Sequence, residues 1–484
     1  MTQHSPVIVW FRRDLRLADN PALHMAAHQG APVVPLYILD ETDGVRPMGA
    51  ASLWWLDKSL RALAEDLETI GSRLILRRGP AADILKAVVK ETGADRVVWN
   101  RLYDPDTIER DKAIKADLER DGIACASHNA SLLSEPWEIK TGGGGAYKVF
   151  TPFWRALRSQ LQLNVLHRAP GELKAPPRQP NSDALDDWKL HPTHPDWSTG
   201  FSNWTPGEAG ARERLHDFLD DRLRDYAEGR DFPARQATSR LSPHLHFGEI
   251  GPRAIWRAAH AAADRGASDS QVDKFLSELA WREFNHNLLF ARPDLPQNPF
   301  KPAFDHLPWR KDNHGLGAWK HGRTGFPFVD AGMRELWATG YMENRVRMVA
   351  ASFLTKHLLI DWREGEAWFW DTLLDADMAN NVNNWQWVAG CGADASPFFR
   401  IFNPIAQGEK FDAEGDYIRR WVPELAGLPA KYIHAPWNAP KAVLDKAGVR
   451  LGETYPTCIV EHDAARRRAL DAYQAVKTDP DSLD

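Results

Sequence analysis

Cysteine and long apolar runs are scarce in this sequence of 484 residues. Its three cysteines, Cys125, Cys391 and Cys458, are odd in number and far apart, which excludes a disulfide framework and a four-thiolate iron–sulfur cluster. No uncharged stretch reaches the roughly 18 residues that span a bilayer, and no basic segment precedes the short apolar run near the N-terminus. We therefore expect a cytoplasmic protein with reduced thiols.

Positive charge is also scarce, because 60 Lys and Arg residues are outnumbered by 66 Asp and Glu residues. A nucleic-acid partner would require the basic residues to be concentrated on one face of the protein. The signatures G-x-G-x-x-G and G-x-x-x-x-G-K-[ST] are absent, so the glycine run at 141–148 predicts a flexible turn rather than a phosphate-binding loop. Tyrosine is rare beside tryptophan, at 9 residues against 21, and we expect most of these indoles in the core.

The first 130 residues alternate β-branched, apolar runs with segments of helical periodicity. The strand-like runs are "PVIVWF", "PVVPLYI", "SRLIL" and "DRVVWN". This alternation predicts a Rossmann-like α/β domain at residues 1–135, with a doubly wound parallel sheet. A proline-rich connector follows at 136–206, and apolar residues at helical spacing predict an all-α second domain at 207–484.

Two predicted helices of the second half carry an unusual polar face. In "KFLSELAWREFNHNLL", Glu278, Trp281 and Arg282 share a side opposite the apolar stripe. A solvated salt-bridge surface gives the same pattern as a cavity wall with a stacking ring beside polar anchors. The second helix, in "YMENRVRM", aligns Asn344, Arg347 and Met348. Two such helices favour the cavity wall.

The segment "YAEGRDFPARQATSRLSPHLHFGE" groups hydroxyls and arginines ahead of a predicted helix. These residues are Arg230, Arg235, Thr238, Ser239, Arg240 and Ser242. Hydroxyls and backbone N–H groups at a helix start suit phosphate, and arginines suit phosphate or nucleic acid, although a capped helix looks the same. The nearby histidine pairs, His191 with His194 and His244 with His246, lack a carboxylate or thiol at ligand spacing, so no metal site is predicted.

Six segments resemble the signature blocks of the photolyase/cryptochrome family, in the family's order and from about residue 5 to 475. They are "VWFRRDLRLADNPAL", "EGRDFPARQATSRLSPHL", "ELAWREF", "GRTGFPFVDAGMREL", "NRVRMVAASFLTKHLLIDWREGE" and "NNWQWVAGCGADASPFFRIFNP". The resemblance is closest to the class III bacterial cyclobutane pyrimidine dimer (CPD) photolyases. It implies that the helical domain binds FAD and that the protein repairs UV-damaged DNA under light.

In this family the reduced cofactor, FADH−, passes an electron under blue light to a lesion flipped out of the duplex. The matching cofactor-binding positions are Tyr226, Thr238, Ser239, Arg240, Leu241, Ser242, Arg282, Asn344, Arg347, Asp375, Asp377 and Asn381. The resemblance implies that Asp375 pairs with Arg347 and that Asn381 faces flavin N5. An amide has no acidic proton to give, so an asparagine there favours the anionic, fully reduced flavin.

The resemblance also assigns the lesion pocket. Its matching residues are Arg230, Glu278, Trp281, Arg345, Met348 and Trp387. Trp281 and Trp387 would sandwich the flipped pyrimidines, and Glu278 would hydrogen-bond the dimer, with Asn344 and Asn381 as further catalytic positions. Burial of Glu278 between aromatic rings would favour its neutral form.

The resemblance implies an electron relay and an antenna. The relay consists of Trp309, Trp362 and Trp385, and Trp368 and Trp370 could add a second branch, although core packing explains them equally well. The implied antenna is 5,10-methenyltetrahydrofolate in the α/β domain, with walls after "RPMGAASLWW" and from "WNRLYDPDTIER".

Two other activities remain open, and each is distinguished from CPD repair by the residues at a few positions. Repair of (6-4) photoproducts would place histidine where this chain has Asn344 and Met348. A cryptochrome-type blue-light photosensor, the alternative, would often lose a pocket indole or replace Asn381, and this chain keeps Trp281, Trp387 and Asn381. We therefore predict a monomeric CPD photolyase that acts on UV-damaged DNA and does not bind membranes.

Overall fold

The computed structural model of the chain describes residues 5–163, 165–395 and 399–478. The chain divides into two compact units. The α/β unit contains Met1–Trp197, Ser202–Arg224 and Ser239–Pro293, and the helical unit contains Ser198–Phe201, Asp225–Thr238 and Asp294–Asp484. The domain boundaries predicted from the sequence, at residues 135 and 206, differ from the limits of these two units and stay a prediction.

The described part of the α/β unit holds a five-stranded parallel sheet in the order β3-β2-β1-β4-β5. The strands are β1 Val7–Phe11, β2 Val33–Asp40, β3 Ile75–Gly79, β4 Arg96–Asn100 and β5 Ala124–His128. Strands on both sides of β1 confirm the predicted doubly wound sheet. Strand β3 begins later than predicted because the N–H of Ser72 still bonds Leu67 O. Strand β5 was missed because it is a polar, half-exposed edge strand.

The helices are numbered in chain order across both units. The first ten are α1 Pro21–His28, α2 Ala50–Thr69, α3 Ala81–Thr92, α4 Pro105–Arg120, α5 Phe150–Gln160, α6 Glu208–Asp217, α7 Tyr226–Gly229, α8 Ser242–His246, α9 Pro252–Asp264 and α10 Asp269–Ala291. They continue with α11 Asn313–Lys320, α12 Pro327–Thr339, α13 Asn344–Ser352, α14 Trp362–Thr372, α15 Met378–Ala389, α16 Pro404–Phe411, α17 Asp416–Trp421, α18 Ala430–Ile433, α19 Lys441–Ala447 and α20 His462–Thr478.

Helix α10 belongs to the α/β unit because its polar side chains bind the backbone that follows β5. Glu283 Oε2 accepts a hydrogen bond from Leu133 N at 2.8 Å, and Asn287 Nδ2 donates to Pro136 O at 2.6 Å. Burial raises the pKa of Glu283. Buried polar groups need such partners, so these bonds keep α10 with the sheet.

The helical unit consists of α7 and α11–α20 with short 3₁₀ and π turns between them. The predicted apolar stripe of α13 is buried at Val346, Val349 and Ala350, which confirms the mostly α character of this part. In the described part of the chain, no helix combines the length and apolarity needed to cross a membrane.

Candidate functional site

The start of α15 and the first turns of α13 are joined by an ion pair. Arg347 donates from Nη1 and Nη2 to the two carboxylate oxygens of Asp375 at 3.1 and 2.9 Å, and from Nε to Met342 O at 2.6 Å. Burial opposes the charge of Arg347, but the Asp375 carboxylate outweighs burial and raises the pKa of the guanidinium. The predicted pairing of Asp375 with Arg347 is present.

Asp377 begins α15 as its N-cap. Its Oδ1 accepts from the backbone N and the side-chain Nδ2 of Asn380, both at 2.8 Å. One turn later, Asn381 Nδ2 donates to Glu366 Oε1 at 2.8 Å and to Glu366 O at 3.0 Å. Glu366 on α14 was not predicted. Because both of these hydrogen bonds use the amide nitrogen of Asn381, the side-chain carbonyl oxygen points away from Glu366.

Trp385, on the same helix, is 2% exposed. Its Nε1 has no hydrogen-bond partner among the described residues. Helix α14 passes so close that a Cβ on Gly365 would lie 2.1 Å from Trp385 Cη2. A buried N–H without an acceptor is costly, so this indole is suited to a partner that the polypeptide does not supply.

The other predicted relay indoles differ in exposure. Trp362 starts α14 and is 1% exposed, whereas Trp309 is half-buried. Trp368 stacks on Trp337 with ring centroids 6.0 Å apart and an interplanar angle of 5°. Trp337 is 55% exposed and was not predicted, and Trp370 is half-buried on α14.

Trp387 is half-buried near the end of α15, where the chain folds back over the helix. Its Nε1 donates to Asp394 O at 3.0 Å, and Asp394 has the left-handed φ of 51°. A Cβ on Gly392 would lie 2.7 Å from Trp387 N, so only glycine permits this close return. Residues 396–398 of the last signature block lie outside the described residues.

Two of the predicted site residues of α13 have a thioether and a carboxylate as neighbours. Asn344 is exposed, and its Nδ2 lies 3.7 Å from Met348 Sδ. Arg345 Nη2 lies 2.8 Å from Asp231 Oδ2 in an ion pair.

The segment that precedes α8 splits between the two units. In the helical unit, Tyr226 is buried under the Arg230 guanidinium, with Cζ 5.5 Å from the ring centroid, and Thr238 Oγ1 donates to Glu343 Oε1 at 2.9 Å. In the α/β unit, Arg240 has a left-handed φ of 52° and lies over the Trp204 ring. Within that same unit, Ser239 Oγ accepts from Leu241 N at 3.4 Å, Leu241 is buried and Ser242 is exposed.

The predicted face of α10 is half-buried in the α/β unit. Trp281 stacks on Phe150 with centroids 3.8 Å apart and planes 7° from parallel, and Phe150 was not predicted. Arg282 Nη1 donates to Ser131 O at 2.7 Å. Glu278 forms an ion pair with Lys274 at 2.7 Å, and Lys274 was not predicted.

The site residues therefore fall into two sets. The helical unit brings together Tyr226, Arg230, Thr238, Asn344, Arg345, Arg347, Met348, Asp375, Asp377, Asn381, Trp385 and Trp387, and the α/β unit carries Ser239, Arg240, Leu241, Ser242, Glu278, Trp281 and Arg282. No cluster of metal-ligating side chains occurs in the described ranges.

Comparisons with known proteins identify the family. Residues 7–178 match the family model for DNA photolyase, and residues 275–475 match the model for the FAD binding domain of DNA photolyase. A deoxyribodipyrimidine photo-lyase of Agrobacterium fabrum is 55% identical over 474 residues, which are 98% of each chain. Cryptochrome-1 of Arabidopsis thaliana is 40% identical over 96% of this chain and 70% of its own.

The solved structures agree with the family models. The crystal structure of a bacterial class III photolyase from Agrobacterium tumefaciens superposes with a TM-score of 0.96 at 54% identity, over 99% of both chains. Its class matches the resemblance found in the signature blocks. The chain therefore belongs to the photolyase/cryptochrome family and is a DNA photolyase with that family's FAD-binding domain.

Proposed function

We propose that this photolyase splits cyclobutane pyrimidine dimers in UV-damaged DNA under blue light, as a cytoplasmic monomer. The observation that carries the proposal is the start of α15, where Asp375 is held by Arg347 and Asn381 is held by Glu366. Both contacts fix polar groups at positions that match the family's flavin site. The name of the Agrobacterium fabrum relative, deoxyribodipyrimidine photo-lyase, supports the same substrate.

The residues of the helical unit fit a bound FAD. Arg347 and Asp375 offer an ion pair with two hydrogen bonds, Trp385 offers a buried N–H without a partner among the described residues, and Asn381 offers an amide already oriented by Glu366. When bound and fully reduced, FAD supplies under blue light the electron that opens the cyclobutane ring. Asn381 has no acidic proton to transfer, which favours that reduced anionic form.

The phosphates of FAD would contact the segment that precedes α8. Thr238, Ser239, Arg240 and Ser242 supply hydroxyl and cationic donors, which suit phosphate oxygens. Tyr226, Leu241 and Arg282 complete the cofactor-binding positions that the resemblance assigns, and Asp377 would accept hydrogen bonds from the ribose or flavin. Arg240 keeps an unfavourable left-handed backbone here, which is typical of functional segments.

The resemblance assigns the lesion contacts to a further set of residues. Trp281 would contact the flipped pyrimidines with the face that Phe150 does not cover, and Trp387 would contact them from a ring held by Asp394 O. Glu278 would hydrogen-bond the dimer. Side by side, Asn344 and Met348 contribute a neutral amide and a thioether, which do not perform the acid–base work that (6-4) repair needs.

A relay from the surface to the core would keep the cofactor reduced. Trp309, Trp362 and Trp385 match the family's three positions; Trp309 is half-buried, and Trp362 and Trp385 are both buried. Trp368 and Trp370 would form the second branch, and Trp368 stacks on the exposed indole of Trp337.

The proposed antenna is 5,10-methenyltetrahydrofolate in the α/β unit. Its predicted walls are the region after "RPMGAASLWW" and the segment "WNRLYDPDTIER", which lie at or beyond the carboxyl ends of β2 and β4 in the chain. Arg46 N, at the start of the first motif, donates to Asp106 Oδ2 in the second segment at 2.8 Å. Ligands of doubly wound folds bind at this carboxyl edge of the sheet. Release of a folate chromophore from the denatured protein would establish the antenna.

Illumination of the purified protein with a thymine-dimer oligonucleotide tests the function. Under reducing conditions we expect loss of the dimer in blue light and none in the dark. Glu278→Gln removes the carboxylate but keeps the side-chain volume, so we expect repair at least about tenfold slower with FAD still bound. The matched variant Glu138→Gln, on a carboxylate outside the assigned sites, should repair at the wild-type rate.

Bound FAD together with an unchanged amount of dimer after illumination would contradict repair and favour the photosensor. An equal loss of rate in Glu278→Gln and Glu138→Gln would remove Glu278 from the lesion contacts.

A further inference from the structure

Arg345 belongs to a group of cations that rest on aromatic rings in the helical unit. The guanidinium Cζ of Arg345 lies 4.5 Å from the Phe411 ring centroid, and Lys410 Nζ lies 5.1 Å from the same centroid. Phe411 packs edge-on against Phe232, over which Arg235 lies at 4.3 Å. We call these five residues the Phe411 cluster.

The Phe411 cluster has the composition of a phosphate-binding surface. Arg235 and Lys410 are exposed, and the aromatic rings hold the cationic groups in place without cancelling their charge. Phosphodiesters are bound by such cations with little regard to base sequence. Among these three cations, Arg345 is the one that the family resemblance places at the lesion.

One carboxylate neutralises part of this surface. Asp231 Oδ2 lies 2.8 Å from Arg345 Nη2, and both side chains are partly exposed, at 33% and 20%. The Nε of Arg345 is buried and lacks a hydrogen-bond partner among the described residues. A phosphate that approaches Arg345 must therefore displace Asp231 or share the guanidinium with it.

We propose that Asp231 restrains the affinity of the Phe411 cluster for the DNA backbone, so that one phosphate contact is suppressed in the complex. The inference rests on the proposed function, because it takes DNA to be the polymer that is bound. Damaged and repaired DNA carry the same phosphates, but repaired DNA has lost its lesion contacts. Because Asp231 weakens binding to the DNA backbone, it promotes release of the repaired DNA.

Asp231→Asn tests the inference in the dark, by fluorescence anisotropy on one duplex with and without a thymine dimer. We expect tighter binding of both duplexes. One additional phosphate contact steepens the salt dependence, so the drop in affinity between 50 and 200 mM salt should become about 3.5-fold larger than in the wild type.

Two further variants separate this effect from net charge and from structure. Glu424→Gln removes an equal charge from an arginine pair of the same unit, Arg334 with Glu424 at 2.8 Å, and should leave the salt slope unchanged. In an Arg345→Gln background, Asp231→Asn should lose its effect. Unchanged or weaker binding by Asp231→Asn, an equal gain in Glu424→Gln, or a gain that persists without Arg345 would each overturn the inference.

The proposed function and this inference are tested by separate measurements. Dimer loss under light is measured on the wild type alone, and it does not depend on the behaviour of Asp231→Asn. Dark binding, in turn, requires no photochemistry.

Discussion

Two side chains of the candidate site owe their orientation to a single neighbour each. Trp281 has one ring face covered by Phe150 at 3.8 Å, so only its other face can meet a base. Asn381 has its amide nitrogen bound twice by Glu366, which determines where its carbonyl oxygen points. In both cases a residue that was not predicted orients the side chain of a predicted site residue.

Phe150→Leu should weaken binding of thymine-dimer DNA roughly fivefold. Leucine keeps most of the volume but not the flat ring, and a stacked aromatic pair contributes about 1 kcal/mol beyond its buried area. Anisotropy titrations of damaged and undamaged duplexes would measure the loss, which we expect on the damaged duplex only. Phe150→Tyr keeps the ring and should bind as the wild type does; equal losses in both variants would contradict a role for stacking.

At the scale of elements, α14 and α15 are in close contact along a glycine. A Cβ on Gly365 would lie 2.1 Å from Trp385 Cη2, so the missing side chain lets the two helices approach over the indole. The same two helices are joined by the bonds from Asn381 to Glu366. This contact packs a predicted relay residue and a predicted flavin residue against the same neighbouring helix.

Gly365→Ala should destabilise the protein by about 1–3 kcal/mol, because the added methyl must displace Trp385 in a packed core. Gly317→Ala is the matched control, since it lies inside α11 with no atom within 4 Å of the added Cβ. That change should stabilise the protein by up to about 1 kcal/mol through helix propensity. Urea unfolding of the three proteins measures both effects, and equal changes would show that packing on Trp385 is unimportant.

At the scale of the whole molecule, DNA binding must arise despite a net charge of −6. The three cations of the Phe411 cluster show how a locally positive surface can exist on an acidic protein. Backbone contacts and lesion contacts should then contribute separately to affinity, because phosphates are common to all DNA and the dimer is not.

Lys410→Gln, at an exposed cation of the Phe411 cluster, should weaken damaged and undamaged duplexes by the same factor and lower the salt slope by about 0.9, the value for one phosphate. Trp387→Leu should instead weaken only the damaged duplex, at least about fivefold, with an unchanged slope, because a stacked base is lost. Titrations at several salt concentrations distinguish the two. A slope that falls in Trp387→Leu, or stays constant in Lys410→Gln, would contradict this separation.

The sheet and most helices could be predicted because their signals are local. Strands β1, β2 and β4 show continuous apolar runs, and α10 and α13 show apolar stripes at helical spacing. Strand β5 has no such run, and the assignment of α10 to the α/β unit depends on bonds from Glu283 and Asn287 to a segment about 150 residues away. Contacts between residues so far apart produce no periodic pattern in the sequence.

The order of residues along the chain was sufficient for the family and for the α/β and helical character of its two parts, since signature blocks and periodicity are properties of neighbouring positions. The site residues that it nominates stay a prediction. Folding alone paired Asp231 with Arg345, 114 positions apart, covered Trp281 with Phe150 and turned Asn381 toward Glu366. Charge and orientation at a site depend on distances of a few ångströms, and those distances exist only once remote segments have packed together.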